Sequence, residues 1–203
     1  MGIFMLVFSH AAKDHDFTYN LNGSTTKIVI GAMSYTGDVG IYDYAPTRPN
    51  GSAPGLIQIK RFSSIADQVV IQLYGDHNYK NVTTSPLMPI IGDYKTAMAA
   101  ELTSESVIIG NDVWIGNNVK ILSNVEIGDG AVIGANAVVS KNIPPYAIAV
   151  GNPIQIIKYR FSKDTIKEML KIKWWDWENK KILENSNLLF GEDIEKFIER
   201  HHI

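Results

Sequence analysis

Cysteine is absent from the sequence, which excludes disulfides, thiolate zinc sites and thiol nucleophiles. A strong charge of one sign is also missing, because 19 lysines and arginines stand against 21 aspartates and glutamates. Such a balance gives no field that would gather nucleic acid or an anionic membrane, so neither is expected as a partner. No apolar run reaches the ~18 residues of a membrane-spanning helix. The short apolar start, residues 1–8, lacks a basic leader and a cleavage site, which favours a packed strand or cap over a signal peptide. The absence of cysteine fits a cytoplasmic protein.

A repeat of six residues dominates the second half of the chain. A β-branched residue recurs at every sixth position: Ile109, Ile115, Ile121, Ile127, Ile133 and Val139. A second apolar residue follows each of them four positions later: Val113, Val119, Val125, Ala131, Ala137 and Ile143. The position directly after the first residue is usually glycine, as at Gly110, Gly116, Gly128 and Gly134. Neither a helical period nor simple strand alternation produces this pattern.

The spacing predicts a coil of short strands joined by turns. The two apolar residues of each repeat point inward, and successive coils stack at the ~4.8 Å spacing of a β-ladder. Glycine, asparagine and aspartate are expected at the bends because they tolerate left-handed backbone dihedrals. The sequence therefore predicts a mainly β protein built on a parallel β-helix.

The same spacing occurs earlier in the chain, at Ile59, Ile65 and Ile71. The interval from Ile71 to Ile109 is long and is not a multiple of six. A long excursion loop is therefore predicted between residues 72 and 106.

Three segments follow from these patterns. Residues 1–56 are expected to form a cap region with a degenerate coil, and residues 57–157 the β-helix with its excursion loop. Residues 158–203 are predicted to form a helical tail, with Ser162 as the N-cap of its first helix. The three tryptophans within residues 174–177 are expected to anchor this tail.

Several segments resemble the hexapeptide-repeat acyltransferases, and within them the xenobiotic and polysaccharide acetyltransferase group. The matching segments are Lys60-Arg61-Phe62-Ser63-Ser64-Ile65-Ala66, Gly75-Asp76-His77 with Thr83-Thr84-Ser85-Pro86-Leu87, Asn111-Asp112-Val113-Trp114-Ile115-Gly116, Gly151-Asn152-Pro153 and Lys173-Trp174-Trp175-Asp176-Trp177. The resemblance implies a left-handed β-helix of triangular section. It also implies a homotrimer without a metal, in which acetyl-CoA binds in the groove between adjacent prisms.

The resemblance implies that His77, in the loop that leaves the coil, is the general base. Transfer of an acetyl group to a hydroxyl needs a base for the hydroxyl proton, and an imidazole pKa of ~6.5 suits that role. Tyr74, Asp76 and Trp114 are expected on the acceptor side of the site. Asp76 stands where the family usually has asparagine, and residues 1–56 do not resemble the N-terminal part of the drug-modifying members.

The segment around residues 134–141 resembles the part of the family that holds CoA. Ala135 and Ser140 are expected to contact the pantetheine arm, since small side chains let it approach the backbone. Lys141 and Lys158 are expected to meet the CoA phosphates. Tyr146 is expected to line the same groove.

The predicted function is O-acetylation of a small hydroxylated acceptor. A sugar or saccharide is favoured over an antibiotic because the N-terminal region departs from the drug-modifying pattern, while antibiotic O-acetylation and amino-sugar N-acetylation stay open. A zinc enzyme of the carbonic anhydrase type would need three histidine ligands, and the coil region offers only His77. A non-enzymatic β-helix scaffold is the remaining alternative, and a scaffold would not need both the loop and the CoA segment.

Overall fold

A computed structural model describes residues 2–8, 13–21, 24–43, 55–73, 79–85 and 105–202. Short parallel strands stack into a prism with three faces. The first face consists of β3 (Ser24–Ile30), β5 (Gly55–Ile59), β8 (Ser106–Ile109) and β11 (Val125–Ile127). The second consists of the start of β4 (Tyr35–Asp43), β6 (Ser64–Ile65), β9 (Trp114–Ile115), β12 (Val132–Ile133) and β14 (Ala147–Val150). The third consists of the rest of β4, β7 (Val69–Leu73), β10 (Lys120–Ile121) and β13 (Val138–Val139), so β4 bends around the corner between the two faces.

One coil of the prism contains three of the six-residue repeats. Val107 pairs with Val125 on the first face and Trp114 with Val132 on the second, and both pairs are separated by three full repeats. Ile57 pairs with Val107 across a much longer stretch of sequence, because the chain leaves the coil between the end of β7 and the start of β8. The insertion thus starts at the corner after the third face and ends at the first face.

The inward positions predicted from the repeat form the core. Every one of the twelve apolar residues that define the repeat is buried, with at most 3% of its surface exposed. Ile59, Ile65 and Ile71 are fully buried in the same cluster. The prediction of a parallel coil with a β-branched core is therefore confirmed.

Left-handed backbone recurs at the fourth position of successive repeats. The residues there are Asp112, Asn118, Asn124, Gly130 and Asn136, with φ between 54° and 69°. Asparagine, aspartate and glycine adopt this conformation with the least strain, because their side chains are short and polar or absent. The expected role of asparagine and aspartate at the bends is confirmed.

The glycines at the second position have a different role from the one predicted. Gly110 and Gly116 are not among the residues with positive φ. A Cβ atom on Gly116 would lie 2.7 Å from the backbone nitrogen of Ala135, and one on Gly110 equally close to that of Asp129. Glycine is required because the next coil passes too near for any side chain, and not because the backbone bends there.

Antiparallel strands close both ends of the prism. At one end β1 (Gly2–Phe8) pairs with β4, and β2 (His15–Leu21) pairs with β3. At the other end β15 (Gln155–Tyr159) pairs with β14. These strands satisfy hydrogen bonds that the outermost coils would otherwise expose as free sheet edges. The predicted strand at the start of the chain is confirmed, whereas the boundaries at residues 56 and 157 stay predictions.

The tail contains α1 (Lys163–Ile172), a 3₁₀ turn (Trp174–Asp176), α2 (Asn179–Glu184), α3 (Ser186–Leu189) and α4 (Ile194–His201). Ser162 caps α1 as predicted, since its Oγ accepts the N–H of Thr165 at 3.2 Å. The tail packs on the prism through a second apolar cluster that contains Trp175 and Tyr146, which confirms the anchoring role of the tryptophans. Within the described residues, every helix is too short or too polar to cross a membrane.

Candidate active site

The predicted base and two of its predicted neighbours lie outside the described residues. These are His77, Asp76 and Tyr74, which belong to the insertion between β7 and β8. The structure describes residues 79–85 of this insertion, and all seven are exposed. The roles of His77, Asp76 and Tyr74 therefore stay predictions.

Trp114 projects from the second face of the prism. Its side chain is 59% exposed, although its strand neighbours in the sheet, Ser64 and Val132, are only partly exposed. An exposed indole offers a large flat apolar surface with one N–H donor, which suits the wall of a binding site or a contact with another chain. Trp114 belongs to β9, so its ring lies on the first coil after the insertion.

Lys158 lies on the same face as Trp114. The register runs from Trp114 to Val132, from Val132 to Ile148 and from Ile148 to Lys158, so the four residues occupy successive strands. Three strand spacings place Trp114 and Lys158 roughly 14 Å apart along the prism. Both are exposed, and a ligand extended along this face could contact both.

Ala135 lies at the corner between the second and third faces, directly after β12. Its backbone covers Gly116 of the preceding coil, and its side chain is exposed. This corner thus presents closely stacked backbone with little side-chain bulk, which is the surface that the predicted pantetheine contact requires.

Ser140 and Lys141 lie at a different corner, directly after β13, where the third face ends. Both are exposed. The structure therefore brings Trp114, Ala135 and Lys158 to one side of the prism and places Ser140 and Lys141 at another of its three corners.

Tyr146 does not line a groove, and this expectation is wrong. Its side chain is fully buried between the prism and the tail, where its ring lies 5.6 Å from that of Phe161. The pairing of Val132 in β12 with Ile148 in β14 spans less than three full repeats, so the repeat loses its phase just before Tyr146. Burial raises the pKa of Tyr146 well above its usual value.

An ion pair beside Tyr146 was not indicated by any sequence pattern. Nη1 of Arg160 lies 3.0 Å from Oδ2 of Asp112 and also donates to the carbonyl oxygen of Gly130 at 2.8 Å. Burial raises the pKa of Asp112, and the nearby Arg160 acts in the opposite direction with a smaller effect. The two partners are far apart in the sequence, and only the tertiary fold brings them together.

No cluster of three or more metal-binding side chains occurs in the part of the chain that the structure describes. The arrangement of the described candidate residues suits binding of an extended ligand against the prism.

Several known proteins are similar to this chain. The family described as bacterial transferase hexapeptide (six repeats) matches residues 106–141. A probable macrolide acetyltransferase of Lysinibacillus sphaericus is 41% identical over 139 residues, which cover 66% of this chain and 77% of that protein. A chloramphenicol acetyltransferase of Agrobacterium fabrum is 37% identical over 133 residues, or 64% of this chain and 63% of that protein. The chain thus spans somewhat less than two thirds of the latter relative.

A solved structure shares the fold. It is that of AntD, an N-acyltransferase from Bacillus cereus in complex with dTDP and 3-hydroxybutyryl-CoA, with a TM-score of 0.50 and 22% identity. The match covers 79% of this chain and 71% of that one. Together with the repeat, this likeness confirms the left-handed β-helix with a helical C-terminal region.

Proposed function

Because the chain belongs to the hexapeptide-repeat acyltransferase family, we propose that it transfers an acetyl group from acetyl-CoA to a hydroxyl group of a small acceptor. The observation that carries this proposal is the identity of 41% to an acetyltransferase over 77% of that protein. A prism with exposed, closely stacked corners and a long insertion at one coil is consistent with it.

His77 acts as the general base. It takes the proton of the acceptor hydroxyl as the oxygen attacks the thioester carbon, which forms a tetrahedral intermediate. The intermediate collapses by breaking the carbon–sulfur bond, and the CoA thiolate leaves and is protonated. Tyr74, Asp76 and Trp114 line the acceptor side, with the exposed indole of Trp114 as a wall.

The donor lies against the prism corners. Ala135 and Ser140 contact the pantetheine arm, and Lys141 and Lys158 meet the phosphates of CoA. Ala135 and Lys158 lie on one side of the prism, and Ser140 and Lys141 lie at another corner. The family resemblance implies a homotrimer, in which the donor would lie between adjacent prisms.

The first candidate acceptor is a sugar or saccharide, in line with the departure of residues 1–56 from the drug-modifying pattern. The second candidate is an antibiotic hydroxyl, which the names of the relatives favour: chloramphenicol, macrolide and virginiamycin A acetyltransferases. N-acetylation of an amino sugar would use the same base and donor. A β-helix without activity would bind no donor at all.

Calorimetric titration with acetyl-CoA tests the proposal. We expect saturable binding that weakens in Lys158→Gln and is unchanged in Lys163→Gln, which removes an exposed lysine of the tail as a matched control. Release of free thiol with sugars and antibiotics as acceptors then identifies the acceptor. Absence of binding at millimolar acetyl-CoA would overturn the proposal and favour a scaffold.

A further inference from the structure

A cleft of about 380 Å³ lies where the first face of the prism, the N-terminal cap and the tail meet. We call it the junction cleft. Its charged lining residues are Lys60, Arg61 and Lys173, together with Asp14, Asp129 and Asp176. It is separate from the proposed donor site, since Ala135, Ser140, Lys141 and Lys158 are not among its lining residues.

Within the described residues, the three cations of the junction cleft form no ion pair: Lys60, Arg61 and Lys173 have no carboxylate partner there. Nε of Arg61 is buried without any hydrogen-bond partner, which is an uncommon state for a charged donor. Such an unpaired N–H costs free energy, and an acceptor from a ligand would relieve that cost.

Two of the three carboxylates are already engaged in holding the backbone. Oδ1 of Asp14 accepts the N–H of Ala32 at 2.7 Å. Oδ1 of Asp129 accepts both the backbone N–H and the side-chain amide of Asn111, at 2.7 and 2.9 Å. Both carboxylates keep their negative charge, so the three positive charges of the lining are balanced by three negative ones. Asp176 is the carboxylate whose side chain has no hydrogen bond in the described part of the chain, so three cations without an ion-pair partner lie near one carboxylate without a hydrogen bond.

We propose that the junction cleft binds a phosphate group, either free or as the monoester of a small molecule. Phosphate carries more than one negative charge near neutral pH and accepts several charge-assisted hydrogen bonds, which matches two ammonium groups and one guanidinium on one cleft. The volume of the cleft leaves room for a small organic group beside the phosphate.

Binding at this place connects separate parts of the chain. Lys60 and Arg61 belong to a coil of the prism, whereas Lys173 follows the first helix of the tail. A ligand held by all three joins the tail to the prism and stabilises the folded protein in proportion to its occupancy.

Calorimetric titrations with inorganic phosphate and with glucose 6-phosphate, at constant ionic strength, test the proposal. We expect Lys173→Gln and Lys60→Gln each to weaken phosphate binding about tenfold, the loss of one charge-assisted contact. Asp176→Asn removes the free carboxylate and should tighten binding several-fold, whereas Lys163→Gln, on an exposed part of the tail, should leave it unchanged. Tighter binding of the ester would assign the site to a phosphorylated metabolite, and equal binding to free phosphate.

Equal affinities in all variants, or no binding at millimolar phosphate by folded protein, would overturn the proposal. A parallel titration with CoA and dephospho-CoA checks that the cleft is distinct from the donor site. If Lys173→Gln weakened CoA but not dephospho-CoA, the cleft would hold the phosphate of the donor and a separate site would be excluded. Failure of acetyl-CoA binding with retained phosphate binding would count only against the proposed transfer.

Discussion

Nη1 of Arg160 lies 3.0 Å from Oδ2 of Asp112, and the same nitrogen donates to the carbonyl oxygen of Gly130 one coil away. Arg160 directly follows the last strand of the prism, so its side chain fastens the start of the tail to two successive coils. The guanidinium also covers the buried ring of Tyr146, at 5.3 Å from its centroid. The energy of this contact between the tail and the prism can be measured by mutation.

Asp112→Asn is expected to flatten the dependence of stability on pH. Burial raises the pKa of Asp112 above its usual 3.8, so the native state binds this proton more tightly than the unfolded chain. The contribution of Asp112 to the free energy of unfolding is thus fully present below pH 3.8 and is lost as pH rises through the raised pKa. Urea unfolding of the native protein and the variant, from pH 3.8 upward, should show a difference in the free energy of unfolding that grows with pH in favour of the variant. A difference that does not change with pH would contradict this role of Asp112.

Arg160→Met should lower the free energy of unfolding by roughly 1–3 kcal/mol at neutral pH, because it leaves the carboxylate of Asp112 largely buried and unpaired. Asp112→Asn in the same chain should restore most of this loss. The amide keeps the left-handed backbone that residue 112 adopts. A double-mutant cycle by urea unfolding measures the coupling, and additive effects would show that the pair does not interact.

Gly116→Ala should destabilise the prism by about 1–3 kcal/mol, because the added Cβ would lie 2.7 Å from the backbone nitrogen of Ala135, which cannot move aside as a side chain can. Gly40→Ala is the matched control. Its Cβ would approach the ring of Tyr42 no closer than 3.2 Å, so a change within about 0.5 kcal/mol is expected. Equal effects in thermal or urea unfolding would refute the close-approach role of Gly116.

Asn118→Ala should destabilise by about 1–2 kcal/mol, and Asn118→Gly by less. Asn118 has a φ of 56°, and its side-chain amide donates to Oδ1 of Asn136 one coil away at 2.8 Å. Alanine loses both the tolerance of this backbone and the hydrogen bond, whereas glycine loses only the bond. The measurement compares the urea unfolding midpoints of the two variants. A lower midpoint for Asn118→Gly than for Asn118→Ala would contradict the proposed strain of alanine in the left-handed backbone.

Trp114→Ala should change the free energy of unfolding by no more than about 0.5 kcal/mol, since the side chain of Trp114 is mostly exposed in the single chain. If the indole is a wall of the acceptor site, kcat/KM for acetyl transfer should fall about tenfold or more, while Trp114→Phe retains most activity. Unchanged kcat/KM with a lower oligomer stability would instead assign Trp114 to packing between chains.

The core was predictable because every coil repeats one environment. Ile109 and Val113 occupy two positions that recur every six residues, and each further repeat strengthens the prediction that residues at these positions point inward. The tail was predictable from its cap at Ser162 and its tryptophans, which pack as a cluster. The hand of the coil followed from the family resemblance and not from the spacing.

Features that depend on contact between coils were not predictable. The reason for glycine at position 116 is the backbone of a neighbouring coil, which one repeat does not reveal. Tyr146 is expected from the sequence to line the CoA groove, but the loss of phase places its side chain beneath the tail. Arg160 and Asp112 are 48 positions apart, and no sequence pattern links them, so their ion pair was not predictable.

Acceptor-dependent release of CoA from acetyl-CoA, compared between the native chain and His77→Ala, tests the central claim most directly. We expect transfer to a hydroxylated acceptor by the native chain and a rate lower by ~10²–10⁴ in the variant. Calorimetry should show unchanged acetyl-CoA affinity in the variant, since His77 is proposed to act on the acceptor. A variant with near-normal turnover would contradict His77 as the base, and a native chain that releases no CoA with any sugar or antibiotic would contradict the proposed transfer itself.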